Sequence, residues 1–155
     1  MNDCSAATVA SISARKSDTP PPGDAALVGL GAAALLTGVA VYALWRPEPV
    51  PTSTFVAVLA GSAPSLLHAF AFTLWTALAL RGRPRTIWAV ALAWATLESV
   101  IEAFQHPALH ALLPAVVRSR WAGTFDPWDL LASLLGAALA GVLAWRHSTL
   151  TEESP

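Results

Sequence analysis

Hydrophobic stretches with few charges alternate along the chain with short segments that carry most of its charges and prolines. The first stretch, Ala25 to Trp45, is long enough at about 1.5 Å per residue to cross a hydrocarbon core of roughly 30 Å. Secretory signals have shorter apolar regions of about 7–15 residues, which favours a retained span over cleavage after Ala43. Three further stretches follow: Phe55 to Leu80, Thr86 to Gln105 and Trp128 to Trp145. The pattern predicts an all-α fold, a four-helix transmembrane bundle.

The second stretch is interrupted by Gly61-Ser62-Ala63-Pro64. Proline suits the first turn of a helix and disrupts its interior. We therefore expect this helix to begin near Pro64, with Ser62 or Ala63 as its cap. Residues 55 to 60 would then lie at the membrane interface or fold back. One continuous kinked helix is the alternative.

The fourth stretch has a well-marked start. Asp126 suits the N-cap, Pro127 the first helical position and Asp129 the first turn. Small residues that let another helix approach closely recur at every fourth position of its interior: Ala132, Gly136 and Ala140.

The composition supports a membrane protein, since hydrophobic residues make up 55% of the 155 residues and charged residues only 12%, against about 25% in soluble domains. A net charge of −1 gives no basic surface for nucleic acid. One cysteine, Cys4, excludes a disulfide framework and multi-cysteine zinc motifs. We expect a disordered cytoplasmic tail over residues 1–24, a four-span membrane domain over 25–147 and a cytoplasmic C-terminal tail over 148–155.

The basic residues are unevenly distributed between the two sides of the predicted bundle. One side carries six of them: Arg15, Lys16, Arg81, Arg83, Arg85 and Arg146. The other side carries three: Arg46, Arg118 and Arg120. Because basic residues favour the cytoplasmic side, both termini are predicted to lie in the cytoplasm.

Ionisable residues occur inside two of the predicted spans. Each costs on the order of 2.5–3.5 kcal/mol to insert, yet the second span holds His68 and the third holds Glu98 and Glu102. The spacing of Glu98, Glu102 and Gln105 puts them on one helix face. Two inert glutamates are hard to explain, because neither a cap nor a loop role is open to them. A single buried glutamate could be protonated and structural.

The topology predicts that these residues meet other polar side chains at one depth, near the outer membrane surface. The candidate ligand-binding residues are His68, Glu98, Glu102, Gln105, Arg118, Arg120, Asp126, Asp129 and Ser133. We expect a polar pocket open to the outside. Ordinary roles compete with this interpretation: a helix cap for Asp126, a loop charge or lipid anchor for each arginine, and an interhelical hydrogen bond for His68.

A metal site is not expected. His106 and His110 have the spacing of ligands on one helix turn, and Glu102 precedes them. Pro107 interrupts that helix, however, and no third histidine matches. We predict an interfacial loop helix here, with no metal and no cofactor.

The second half of the chain resembles VanZ-like membrane proteins, over about residues 60–142. The resemblance rests on Glu102-Ala103-Phe104-Gln105, on the stretch from Phe125 to Ala137, and on the stretch from Pro64 to Phe72 around His68. Family members usually have asparagine in place of Ser133, and an arginine where this chain has Gly123. The name-giving members are associated with teicoplanin resistance, and many relatives have no assigned activity.

The resemblance implies a multi-pass protein of the bacterial cytoplasmic membrane. The leading hypothesis is a non-catalytic envelope protein whose pocket binds a lipid or lipid-linked glycan head group. Arg118 or Arg120 would contact its anion, and Glu102, Asp129 and His68 its sugar or amine groups. The rival is a hydrolase or transferase with Glu102 or His68 as general base and Asp126 or Asp129 as acid. A third hypothesis is a scaffold that binds a partner, or a second copy, through the fourth helix.

Overall fold

The computed structural model of the chain describes residues 22–45, 54–80, 83–119 and 125–152. The helices are α1 (Pro22–Trp45), α2 (Thr54–Ala79), α3 (Pro84–Ala103), α4 (Pro107–His110), α5 (Ala115–Arg118) and α6 (Pro127–Glu152). The described residues form no strand. Helices α1, α2, α3 and α6 are each long and apolar enough to cross a membrane. The predicted all-α, four-helix transmembrane bundle is confirmed.

Helix α2 is continuous from Thr54 to Ala79 with Pro64 in its interior. The predicted start near Pro64 is therefore wrong, and the alternative of one continuous helix is confirmed. A membrane offers no water to satisfy a broken backbone, so a helix continues through a proline that would end it in a soluble protein.

Two other boundaries differ from the prediction. Helix α1 includes Pro22, Gly23 and Asp24, which were assigned to the tail, whereas residues 1–21 lie outside the described part of the chain. Helix α6 continues past Trp145 to Glu152. Its polar last turns are stabilised by hydroxyls that donate to carbonyls three or four residues earlier: Ser148 to Trp145, Thr149 to Arg146 and Thr151 to His147.

Helix α2 is the centre of the packing. Among the described residues the extensive helix pairs are α2 with α6, α1 with α2, α3 with α6 and α2 with α3. The core lies between α2, α3 and α6 and is small-residue rich: Leu74, Ala77, Ile87, Val90, Ala140 and Ala144. Helix α1 is added to this three-helix core mainly through α2.

The closest helix approach involves Gly136 of α6. A Cβ at this position would collide with the carbonyl oxygen of Leu66 and lie 3.2 Å from the amide nitrogen of Phe70. Ala132 and Ala140 on the same stripe are also buried. The stripe does allow close approach, but the neighbour is α2 of the same chain. A partner could not use it, and would have to contact the exposed leucines elsewhere on α6.

Helix α1 approaches α2 through two glycines, Gly31 and Gly38, that lie two turns apart on one face. The ring of Trp75 lies against Gly31, and its Nε1 donates to the carbonyl oxygen of Val28 at 3.1 Å. Gly38 lies against Pro64. Glycine at position 31 is what lets the Trp75 ring reach the α1 backbone, whereas a Cβ at Gly38 would make ordinary contact with Leu67 and Pro64.

The two ends of the bundle are distinct. At the terminal end, which we define by the start of α1 and the last turns of α6, His147 Nε2 lies 2.8 Å from Asp24 Oδ1. At the opposite, junction end, α3 finishes at Ala103, α4 and α5 follow, and α6 begins at Pro127. Glu102 in the last turn of α3 and Asp126, just before α6, belong to the junction end.

Candidate functional site

Glu102 is buried in the last turn of α3, with 8% of its surface exposed. Its Oε1 accepts a hydrogen bond from the backbone N–H of Asp126 at 2.6 Å, and its Oε2 accepts one from Gln105 Nε2 at 3.1 Å. The carboxylate thus ties the end of α3 to the residue that precedes α6.

Asp126 is the cap of α6, as predicted, because its Oδ1 accepts from the backbone N–H of Trp128 at 2.9 Å. Its own backbone N–H is the group bound by Glu102. Asp126 is therefore fixed twice, once through its side chain and once through its main chain. The start of α6 is positioned against α3 by this pair of bonds.

Further along α6, Asp129 and Ser133 are one turn apart on the same face. Ser133 is 4% exposed, and one carboxylate oxygen of Asp129 is buried. The structure thus brings Glu102, Gln105 and Asp126 together at the junction end. Asp129 follows in the first turn of α6, and Ser133 lies one turn deeper.

His68 and Glu98 form a second polar contact, deeper in the bundle. His68 Nδ1 lies 3.2 Å from Glu98 Oε1, and the His68 ring packs edge-on against Phe72 with centroids 4.6 Å apart. The His68 side chain is 48% exposed, whereas that of Glu98 is 14% exposed. The tautomer of the ring decides which of the two groups donates in this contact.

The prediction that all the candidate residues lie at one depth is wrong for His68. With α2 beginning at Thr54, His68 lies about 21 Å along that helix at about 1.5 Å per residue. It is level with Gly136, which faces the backbone of Leu66 and Phe70. The candidate residues are therefore spread in depth. We call four of them the polar ladder, running from the junction end to the middle of the bundle: Asp126, Glu102, Glu98 and His68.

The two candidate arginines are at or beyond the end of α5. Arg118 is exposed, and its Nη1 donates to the carbonyl oxygen of Ala111 at 3.3 Å. This bond ties the guanidinium to the loop between α3 and α6. Arg120 lies outside the described residues.

The two loop histidines lie at α4, and α3 has ended before them. The ring of His106 packs edge-on against Phe125 with centroids 5.3 Å apart, which connects the loop to the approach of α6. Across the four described ranges, no group of three histidine, cysteine or acidic residues could hold a metal ion. The region forms two short helices, α4 and α5, in place of the single loop helix predicted.

The sequence analysis missed the side of α2 that faces α6. Ser62, expected as a helix cap, is buried there, and so is Thr73. In the described part of the chain neither hydroxyl has a hydrogen-bond partner. Ser62, Leu66, Ala69 and Thr73 have the spacing of one helix face. That spacing was visible in the sequence only if the helix was continued through Pro64.

Comparisons with known proteins add no further constraint: no family model, no curated protein and no solved structure matches the chain.

Proposed function

We propose that this multi-pass membrane protein is a VanZ-like protein of the bacterial cell envelope and that its junction end binds a lipid or lipid-linked glycan head group. The observation that carries the proposal is the buried carboxylate of Glu102, held at 2.6 Å by the Asp126 backbone and at 3.1 Å by Gln105. It organises a polar surface where a membrane-spanning bundle meets the head-group region.

The cost of this arrangement supports a functional role. Acidic side chains inside a spanning helix are expensive and mark functional sites more often than structural ones. A cap on α6 alone would need only Asp126, whose side chain already supplies it. Glu98 and Glu102 are additional to that need: Glu102 binds the backbone N–H of Asp126, and Glu98 contacts His68.

The motif contacts are consistent with the VanZ-like resemblance. Glu102 and Gln105, which belong to its third-helix motif, contact each other, and Glu102 contacts Asp126 of its fourth-helix motif. Residues that are distant along the chain thus act as one unit. We infer that Gln105, Asp126 and Asp129 bind hydroxyl or amine groups of the ligand, with Arg118 and Arg120 near its anion.

The proposed orientation puts the junction end in the periplasm and the terminal end in the cytoplasm. Arg83, Arg85 and Arg146 lie on the terminal side of the bundle and Arg118 lies on the junction side. The positive-inside rule applied to these residues, and to the others counted in the sequence, supports this orientation. The inner membrane of a bacterium is then the proposed location.

The proposal is tested by purifying the protein from membranes and identifying the lipids it retains by native mass spectrometry. We expect one lipid class to be enriched over the bulk membrane, and Gln105→Ala and Arg118→Ala to reduce that enrichment. Arg146→Ala is the matched control, because it removes a basic residue from the far end of the bundle. Equal retention by all four proteins, or no enrichment in the wild type, would contradict head-group binding.

A second candidate function is supported by the His68–Glu98 contact. A carboxyl group beside one ring nitrogen of a half-exposed imidazole is the arrangement of a general base and the group that orients it. His68 would act on the substrate and Glu98 would orient it. The partner of His68 in this arrangement is Glu98, whereas the sequence suggested Asp126 or Asp129 as the acid.

The enzymatic alternative makes a separate prediction. Purified protein incubated with a total lipid extract should convert one lipid, and His68→Ala should slow the conversion by about 10²–10⁴-fold. Glu98→Gln should slow it less, since the amide can still hydrogen-bond to Nδ1. If the wild type and His68→Ala both leave the extract unchanged, the enzymatic alternative fails and head-group binding is unaffected.

A further inference from the structure

Three helices surround α2, and each meets a different side of it. Helix α1 contacts α2 at Pro64, Leu67 and Trp75. Helix α6 lies against the backbone of Leu66 and Phe70. Helix α3 contacts α2 at His68, through Glu98, and also at Phe72 and Thr76, both through Trp94.

The side of α2 between α1 and α3 is open. At about 100° per residue, Ala57, Gly61 and His68 fall on this side, and all three are exposed. A Cβ at Gly61 would meet nothing within 4 Å. Helices α1 and α3 are not among the extensively packed pairs of the described residues. We call this open side the lateral groove.

The side chains on the floor of the lateral groove change from polar to aromatic along its length. His68 lies about halfway along α2, and from there toward the terminal end the floor is aromatic. Phe72 packs edge-on against Trp75 at 5.7 Å and is stacked on Trp94 at 5.2 Å between ring centroids. The groove therefore offers one polar side chain above a continuous aromatic surface.

An imidazole that is 48% exposed at this depth requires a polar neighbour in the groove. Leaving a polar group unpaired in hydrocarbon costs several kcal/mol. Plain acyl chains can cover Phe72 and Trp75 but cannot satisfy His68. The occupant that fits both is a molecule with a hydrocarbon chain and a polar group.

We propose that the lateral groove is the entrance through which a lipid reaches the site from within the bilayer, with its chain on Phe72 and Trp75 and a polar group on His68. This inference rests on the proposed head-group site and identifies how its ligand arrives. One nitrogen of the His68 ring is engaged by Glu98. A ligand hydroxyl suits the other nitrogen in either tautomer, because a hydroxyl can both donate and accept.

Two glycine substitutions provide the test. Gly61→Trp fills the groove at a position with open space around it. Gly29→Trp is the matched control, since a Cβ there also meets nothing within 4 Å and Gly29 is on the face of α1 away from Gly31. Each protein is placed in nanodiscs of phosphatidylethanolamine and phosphatidylglycerol that contain a diacylglycerol with a photoactivatable acyl chain. Crosslinked residues are identified by mass spectrometry.

We expect crosslinks on the groove side of α2 in the wild type and in Gly29→Trp, and about tenfold fewer in Gly61→Trp. His68→Phe should lower crosslinking by the diacylglycerol, which has a free hydroxyl, but not by a matched probe whose hydroxyl is acetylated. Equal crosslinking in Gly61→Trp and the wild type would overturn the proposal that a lipid enters through the lateral groove. Loss with both probes in Gly61→Trp, but no change in His68→Phe, would show that acyl chains and water fill the groove and would overturn the assigned ligand.

The entrance and the head-group site can fail separately. A soluble analogue with short chains does not need the groove, and its binding is measured by calorimetry on the same proteins. If it binds the wild type and Gly61→Trp equally while the long-chain probe is lost only from Gly61→Trp, both proposals stand. If the groove crosslinks as expected and the analogue binds no protein, only the head-group site fails.

Discussion

The two sides of α2 serve different purposes. The side that faces α6, which we call the closed side, is packed so tightly that Gly136 lies against the backbone of Leu66. The side that faces the lateral groove exposes Gly61 and His68. Glycine is required at position 136 because there is no space for a side chain, whereas Gly61 has open space around it.

Under the proposed function, this difference separates stability from ligand binding within a single helix. Close packing contributes dispersion energy that any added atom would disturb. In a bilayer, where hydrophobic association between helices is weak, such packing is a main source of stability. We therefore expect substitutions on the closed side to affect folding and those on the groove side to affect binding.

The largest expected effect is that of Gly136→Leu. Its side chain cannot fit without separating α2 from α6, because the collision is with backbone. Overpacking a core costs about 1–3 kcal/mol when side chains can adjust, and here they cannot. We expect loss of the folded monomer in detergent, measured by size exclusion and thermal unfolding. Gly29→Leu is the control and should unfold like the wild type.

The next largest effect is expected for Glu102→Ala. It removes the acceptor for the Asp126 N–H and for Gln105 Nε2, and each buried donor left without a partner costs about 1–3 kcal/mol. The unfolding temperature should fall clearly. Glu102→Gln keeps one acceptor oxygen, so its unfolding temperature should fall less than that of Glu102→Ala. Identical unfolding of the two variants would argue against the role assigned to these bonds.

A smaller effect is expected for Asp126→Ala, which removes the cap on the Trp128 N–H but leaves the backbone bond to Glu102. Loss of an N-cap costs about 1 kcal/mol. Asp126→Asn and Asp126→Ser preserve the cap, so both should unfold near the wild-type temperature in the same assay. An effect as large as that of Glu102→Ala would mean that the side chain does more than cap.

The smallest effect separates the two sides of α2 most directly. Gly61→Ala should leave stability unchanged or raise it by about 0.5–1 kcal/mol, since alanine favours the helix and meets no neighbour. Gly136→Ala should destabilise, because the same added methyl group meets the Leu66 carbonyl. If both substitutions shift unfolding equally, the contrast between the closed side and the groove is incorrect.

The fold could be predicted from the sequence because the lengths of the hydrophobic stretches match the thickness of a membrane. The junction contacts could be anticipated in part, since chain order alone puts Glu102 and Asp126 at the same end. The start of α2 could not be predicted, because the rule that proline ends a helix holds for proteins in water. The His68–Glu98 contact was also out of reach, since it depends on how far one helix is displaced along another.

The 2.8 Å contact between Asp24 and His147 fastens the first turn of α1 to the last turns of α6. The chain consequently enters and leaves the membrane side by side. Reporter fragments fused to the two ends of the chain would meet in one compartment and could reassemble there, while an insertion in the loop that follows α4 would emerge in the other.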